Sequence, residues 1–421
     1  MGATHRMTIT EKIIALASGL TQVRPGDEVW ARVDLAVMND SSGPRRLAAL
    51  VEDLGGKLWN PERVVLVSDH FIPPSTTRHA EILSITREWA RRKNISHFYE
   101  YEGILHNVLI EKRLVRPGML LVGADSHTTT AGAVGAVAIP IGSSELATVL
   151  VSGEVWLRVP STICIRLHGH LRPGVMPRDV DFLLLGSLKS DCAVYKAVEF
   201  HGNFVQSLDI AGRSVLTNAG IEMGAKNAIV PADEVTAAFY GEKLADELRG
   251  DSEASFEKIY EFDVSTLEPM VALPHQVDNV ATVREVQGKP IDLAYLGSCV
   301  GAKLEDLRAA AQVLRGRHTA VPLLVTPATR AALEGASRDG TLAALIDAGA
   351  IVQPAGCGPC AGVHMGILGP HQRAITSLTR NFRGRMGARD AEIYLASPMT
   401  VAASALNGRI TDPTPYLERG A

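Results

Sequence analysis

The chain has 421 residues, 46% of them hydrophobic and 21% charged, with a formal net charge of -4. That length exceeds what one hydrophobic core usually serves, and the apolar content excludes a disordered chain. The slightly acidic balance offers no general attraction for nucleic acid or an anionic membrane, so neither is expected as a partner.

The opening "MGATHRMTITEK" lacks the apolar centre of a signal peptide, Arg6 stands where myristoylation wants Ser or Thr, and Met7 is an alternative start. No run approaches the roughly 18 apolar residues that span a bilayer, so a cytoplasmic protein is expected. Further along, "RVVLVSD" (63–69) and "GMLLVGAD" (118–125) read as strands. The glycines of "TTTAGAVGAVAIPIGSSE" (128–145) lack dinucleotide-site spacing and predict close helix packing. Cys164 in "STICIRLHG" and Cys192 in "SDCAVYKA" read as packing residues. A Gly-, Pro- and charge-rich stretch at 167–179 and a polar region at 250–292 mark junctions. Then come strands "DLAYLGS", "PLLVTP", "AIVQPAG" and "RAITSLT", with "KLEDLRAAAQVLRGR" a helix whose Leu304, Leu307, Ala311 and Leu314 share a face. Alternating strands and helices predict α/β domains with mostly parallel sheets, divided as 1–165, 166–285 and 286–421.

The polar residues follow these strands. Asp69 and His70 come after the first, and Asp125, Ser126 and His127 after the second. Cys299, the pair Cys357 and Cys360, and Arg380 follow later ones. Ligands of open α/β sheets bind at carboxyl ends of strands, so several domains would face one cleft.

Three cysteines and this setting allow several chemistries. "AGCGPCAGVH" (355–364) alone is a redox dithiol, half of a zinc site or part of an iron-sulfur site, and His364 would complete a three-Cys, one-His zinc set. Three thiolates on a four-iron cluster would leave one iron open as a Lewis acid. The Asp-His pairs in "VSDHFIPP" and "GADSHTTT", with His106 in "EGILHNVLIEK", suit acid-base work. Arg380 and Arg385 of "TRNFRGRMG" suit a substrate with two or three carboxylates, whereas Arg383 reads as solvated.

Taken together, "VLVSDHFIPP", "GILHNVLIEKRLVRPGMLLVGADSHTTTAGAVGA", "YKAVEFHG", "NAGIEMGAKN", "LGSCVGAKLEDLRAAA", "CGPCAGVHMGIL", "NFRGRMG" and "YLASPMTVAASALNGRI" make the chain resemble the aconitase superfamily over nearly its whole length. Within it, the likeness is to large subunits of 3-isopropylmalate dehydratase and homoaconitase. The resemblance implies a three-domain fold with mostly parallel sheets around a shared cleft. It also implies a [4Fe-4S] cluster with one open iron on Cys299, Cys357 and Cys360.

By the same likeness, Asp69 and His70 handle the departing hydroxyl, and His106, Asp125 and His127 order water. Glu199 contacts the same oxygen, while Ser126, Arg380 and Arg385 bind the hydroxy-acid substrate. The family's catalytic serine lies on a swivelling domain, and "GSSEL" (142–146) matches a different segment. A separate small subunit is therefore expected to supply it. Val300 and Gly301 after Cys299, Thr379 before Arg380, and "NDSSGPRR" depart from the usual pattern. The resemblance implies a hydro-lyase that interconverts 2- and 3-isopropylmalate by removing and restoring water, and these departures raise the alternative of a paralogue acting on another alkylmalate, maleate or homoaconitate. The reading from another class is a non-catalytic zinc- or dithiol-containing binding protein.

Overall fold

The computed structural model describes residues 6–243, 248, 250–251 and 253–417. Four sheets organise them. The first is five-stranded and wholly parallel, in the order His97–Glu100, Val64–Ser68, Leu35–Asn39, Leu120–Gly123, Val137–Pro140. The Val64–Ser68 and Leu120–Gly123 strands are buried throughout, which is why they read as continuous apolar runs without alternation. The second is also parallel, in the order Asn227–Ile229, Ala197–His201, Thr162–His168, Lys258–Asp263.

The third sheet has seven strands and centres on Leu293–Leu296. Arg373–Thr376 and Leu323–Val325 flank that strand in parallel, with Ala350–Val352 and Glu392–Ala396 beyond. Met270–Ala272 adds antiparallel to Glu392–Ala396, and Val280–Thr282 to Met270–Ala272. The sequence division at 285 leaves those last two strands in the middle segment. They enter the third sheet because Met270–Ala272, buried at all three positions, satisfies its backbone against Glu392–Ala396. Thr162–His168 likewise runs across the division at 165, in the second sheet. A two-stranded antiparallel ribbon, Glu28–Arg32 with Glu154–Arg158, completes the set.

The helix Leu304–Leu314 forms as expected and buries Leu307, Ala310, Ala311 and Leu314 against the third sheet. Close packing explains Gly132: a Cβ there would come within 1.8 Å of the Ala228 carbonyl oxygen. Among the described residues, no helix is long and apolar enough to cross a membrane.

Candidate active site

Asp69 is the hub of the site. It follows the strand Val64–Ser68, and its Oδ1 lies 2.6 Å from His70 Nδ1. Its Oδ2 accepts from Leu105 N at the start of the helix Leu105–Glu111, and its backbone oxygen accepts from Cys357 N, both at 2.9 Å. One residue thereby joins the acid-base pair, the helix bearing His106 and the thiol loop. Asp40 braces the same turn, accepting from His70 N at 3.1 Å and Phe71 N at 3.0 Å. Burial and the neighbouring Asp69 charge push the Asp40 carboxyl up to about 6. Burial opposes a charge on His70, but Cys357 and Asp69 outweigh it and hold the imidazole well above its ordinary value.

Asp125 anchors a second group. Its Oδ1 lies 2.9 Å from His106 Nε2 and accepts from His127 N, while Oδ2 accepts from Asn39 Nδ2. Burial alone would raise its carboxyl, yet His106, with His127 and His70, holds it well below the carboxylate range. The His106 and His127 rings stand edge to face with centroids 6.3 Å apart. His127 Nε2 meets Glu222 Oε1 at 3.1 Å, and burial holds this imidazole below its ordinary value. Arg380 donates from Nε to the same Glu222 oxygen at 2.7 Å and from Nη1 to Ser126 Oγ at 3.1 Å.

The thiols complete the arrangement. Cys299 and Cys357 are buried in one apolar group with Ile104, Val215, Val300 and Ala328. Cys360 follows Cys357 within the same turn, its N–H donating to the Cys357 carbonyl. Burial, then the nearby Cys360, pushes the Cys299 thiol up to about 12, and burial with Asp69 raises Cys357 well above its ordinary value. These sulfurs gain little from being bare in a dry cradle, and soft sulfur donors fit an iron-sulfur group. Asn218 Nδ2 donates to Cys299 Sγ at 3.1 Å, the kind of bond that tunes cluster sulfurs. Arg385 Nη2 lies 3.7 Å from Cys360 Sγ, and Arg385 Nε and His106 Nδ1 are buried without a partner among the described residues. Cys357 Sγ is 3.8 Å from His70 Nδ1.

Of the residues expected from sequence, the structure thus brings together Asp69, His70, His106, Asp125, Ser126, His127, Arg380, Arg385 and the three cysteines. Glu199 stays apart. It is the third residue of the strand Ala197–His201, paired in register with Cys164 and Ile229, so it lies within the second sheet and not beyond a strand end. Its carboxylate accepts from Thr10 N at 3.2 Å and meets His201 Nε2 at 3.3 Å. The carboxylate that meets His127 and Arg380 is instead Glu222, in "NAGIEMGAKN". Its signal was present in that quoted motif but not in any strand-end position.

His364 does not join the thiols, because its Nε2 donates to the Pro73 carbonyl at 2.7 Å. Arg383 is exposed, and Cys164 is buried in its sheet. Asn39 and Asp40 of "NDSSGPRR" and Asn218 of "NAGIEMGAKN" were not singled out within those stretches, since single amides and carboxylates have no spacing signature.

Comparison with known proteins gives the family. The model of the aconitase family (aconitate hydratase) matches residues 11–289 and 282–408. The chain is 44% identical over 416 residues to the 3-isopropylmalate dehydratase large subunit 1 of Methanopyrus kandleri, covering 97% of this chain and 99% of that one. It is 44% identical to the 3-isopropylmalate dehydratase large subunit of Moorella thermoacetica, covering 97% and 98%. A probable methanogen homoaconitase large subunit of Methanothermobacter thermautotrophicus is 42% identical, again covering 97% and 98%. Among solved structures, the holo form of Thermococcus kodakaraensis aconitase X shares the fold, with a TM-score of 0.52 and 14% identity over 86% of this chain and 88% of that one. The chain belongs to the aconitase family, whose members of this kind are hydro-lyases.

Proposed function

We propose that this chain is the large subunit of an iron-sulfur hydro-lyase of the 3-isopropylmalate dehydratase type. It would work with a separate small subunit to interconvert 2- and 3-isopropylmalate by removing and restoring water. The observation that supports this most is the 3.8 Å approach of Cys357 Sγ to His70 Nδ1, itself paired with Asp69. It sets a metal-donor sulfur against an oriented imidazole, whereas a structural zinc site closes its four ligands away from such groups. The engagement of His364 with Pro73 also weighs against a zinc or dithiol binding protein.

A [4Fe-4S] cluster on Cys299, Cys357 and Cys360 would supply an open iron, a Lewis acid toward the substrate's hydroxyl and carboxylate. The chain's own residues do the remaining work. Asp69 fixes His70 through Nδ1 and leaves Nε2 to give a proton to the departing hydroxyl. Asp125 holds His106 by Nε2, which leaves Nδ1 to order the water, and His127 acts beside it. Arg380, steadied by Ser126 and Glu222, and Arg385 bind substrate carboxylates. The base that takes the carbon-bound proton would be a serine of the small subunit, as in the family. The large-subunit names of the relatives support such a partner. Three α/β domains, the last beginning before Met270, would frame the cleft. A cytoplasmic location fits five unpaired cysteines.

The similarity to a homoaconitase large subunit keeps that substrate class as the second reading, together with other alkylmalates and maleate. Anaerobic co-purification with the small subunit, then assay on isopropylmalates, homoaconitate and maleate, decides between them. Brown protein turning over isopropylmalate is expected. Colourless, zinc-containing protein without hydratase activity would refute the proposal.

A further inference from the structure

The strand Arg373–Thr376 ends just before the segment that presents Arg380. Residues 377–379 and 381 of that segment are buried, and Arg380 alone among them is partly open. Neutral hydrogen bonds hold both ends. Ser298 Oγ donates to the Ser377 carbonyl at 2.9 Å, and Asn381 Nδ2 donates to the Leu273 carbonyl at 2.7 Å. The Leu378 carbonyl between them accepts instead from a charged group 200 residues earlier, Arg178 Nη2, at 2.8 Å.

Arg178 is the second residue of the helix Pro177–Leu188 and is 2% exposed. Its Nη1 donates to Asp181 Oδ2 at 3.1 Å, and its guanidinium carbon lies 4.6 Å from the centre of the Phe182 ring. Those contacts fix the planar fork in one orientation, with Nη2 turned to Leu378. Burying an ion pair is costly, and an apolar pair of similar volume is often at least as stable. Arg178 Nε and Asp181 Oδ1 also lack hydrogen-bond partners among the described residues, so stability alone is a poor account of the pair. What the guanidinium adds is a strong, directed donor to a carbonyl on another element.

We infer that Arg178 is a positioning residue for Arg380: by clamping the Leu378 carbonyl it sets where the guanidinium two residues later meets a substrate carboxylate. This role depends on the proposed function only in that Arg380 binds a carboxylate. Glu222 and Ser126 steady the tip of the Arg380 side chain, and Arg178 steadies the backbone that carries it. A displacement of about 1 Å is enough to spoil such a contact.

The test replaces the buried pair by an apolar one, R178M/D181L, which removes the donor to Leu378 without leaving a lone buried charge. Calorimetric titration of the anaerobically co-purified complex with malate and with 2-isopropylmalate measures carboxylate binding, and steady-state kinetics gives KM and kcat on the substrate that is turned over. R178M/D181L should keep the brown colour and a near-native unfolding midpoint while weakening binding by roughly tenfold or more. KM should rise by a like factor with kcat within about threefold, the pattern of an interaction shared by ground and transition states. Should that variant unfold or lose its colour, R178K serves in its place with the same expected direction, since an ammonium keeps the charge beside Asp181 but lacks the fork that reaches both partners. L185V trims the core two turns further along the same helix and should leave affinity unchanged. Full affinity in the Arg178 variant, or an equal loss in L185V, would overturn the inference. If the unaltered complex binds these acids but hydrates nothing, the hydro-lyase reading fails while the affinity comparison still judges Arg178. If it binds neither acid, both fall.

Discussion

A single carboxylate oxygen, Glu222 Oε1, takes hydrogen bonds from His127 Nε2 at 3.1 Å and from Arg380 Nε at 2.7 Å. It ties together the His127 imidazole and the Arg380 guanidinium, the groups proposed above to work on water and on a substrate carboxylate. Burial would raise Glu222, but His127 and Arg380 outweigh it and hold the carboxyl below its ordinary value.

Glu222→Gln should therefore lower kcat by ~100-fold or more, since the amide cannot accept from both partners with a full charge. Glu199→Gln should leave kcat nearly unchanged, because its buried carboxylate bonds Thr10 N and His201 within the second sheet, apart from these groups. Steady-state kinetics of both variants check this, and equal losses in the two would show that Glu222 has no special role.

Cys357→Ser should abolish the brown colour, the bound iron and sulfide, and all turnover, whereas His70→Ala should keep the colour and lose turnover. Cys192→Ser serves as the control, because that thiol is half-buried elsewhere. Iron and sulfide analysis alongside visible absorption provides the readout. A full cluster complement in the serine variant would contradict the ligand set.

Asn218→Ala removes the N–H donor to Cys299 Sγ. Loss of an outer partner commonly weakens metal binding by about 10-fold at the low end, so bleaching of the visible band in air should accelerate by roughly that factor. An unchanged bleaching rate would mean the amide is packing only.

Asp40 must be ionised to receive both the His70 and Phe71 amides at full strength, and its carboxyl is pushed up to about 6. As pH falls through that value the carboxylate is protonated, so kcat/KM should decline on the acid side. Asp40→Asn should lower activity at pH 8 and flatten the acid limb. A limb identical in the variant and the unaltered protein would assign it to another group.

Gly132→Ala would press a methyl against the Ala228 carbonyl oxygen, 1.8 Å away before any relaxation. A destabilisation of ~3 kcal/mol is expected, at the upper end for overpacking, and denaturant unfolding measures it.

Several elements were legible because one physical signal was enough. The runs at Val64–Ser68, Leu120–Gly123 and Leu293–Leu296 are almost wholly apolar, and Arg373–Thr376 is buried after its exposed first residue, as strands covered on both faces are. Their ends delivered Asp69, Asp125, Cys299 and Arg380 to one place, as strand-end geometry requires. Glu222 escaped that rule because it arrives from the 3₁₀ turn Gly220–Met223, after the helix Ile210–Ala219. The assignment of Met270–Ala272 was equally hidden, since a three-residue strand carries no mark of which sheet edge it will join.

The sequence by itself determined the α/β class, the set of thiols, imidazoles and guanidiniums, and the family to which they belong, because these depend on residue identity and local period. Only the tertiary structure decided which carboxylate serves His127 and Arg380, and that His364 turns to Pro73 and away from the sulfurs. Those outcomes depend on distances between residues far apart in the chain, and such distances are set when the sheets pack together.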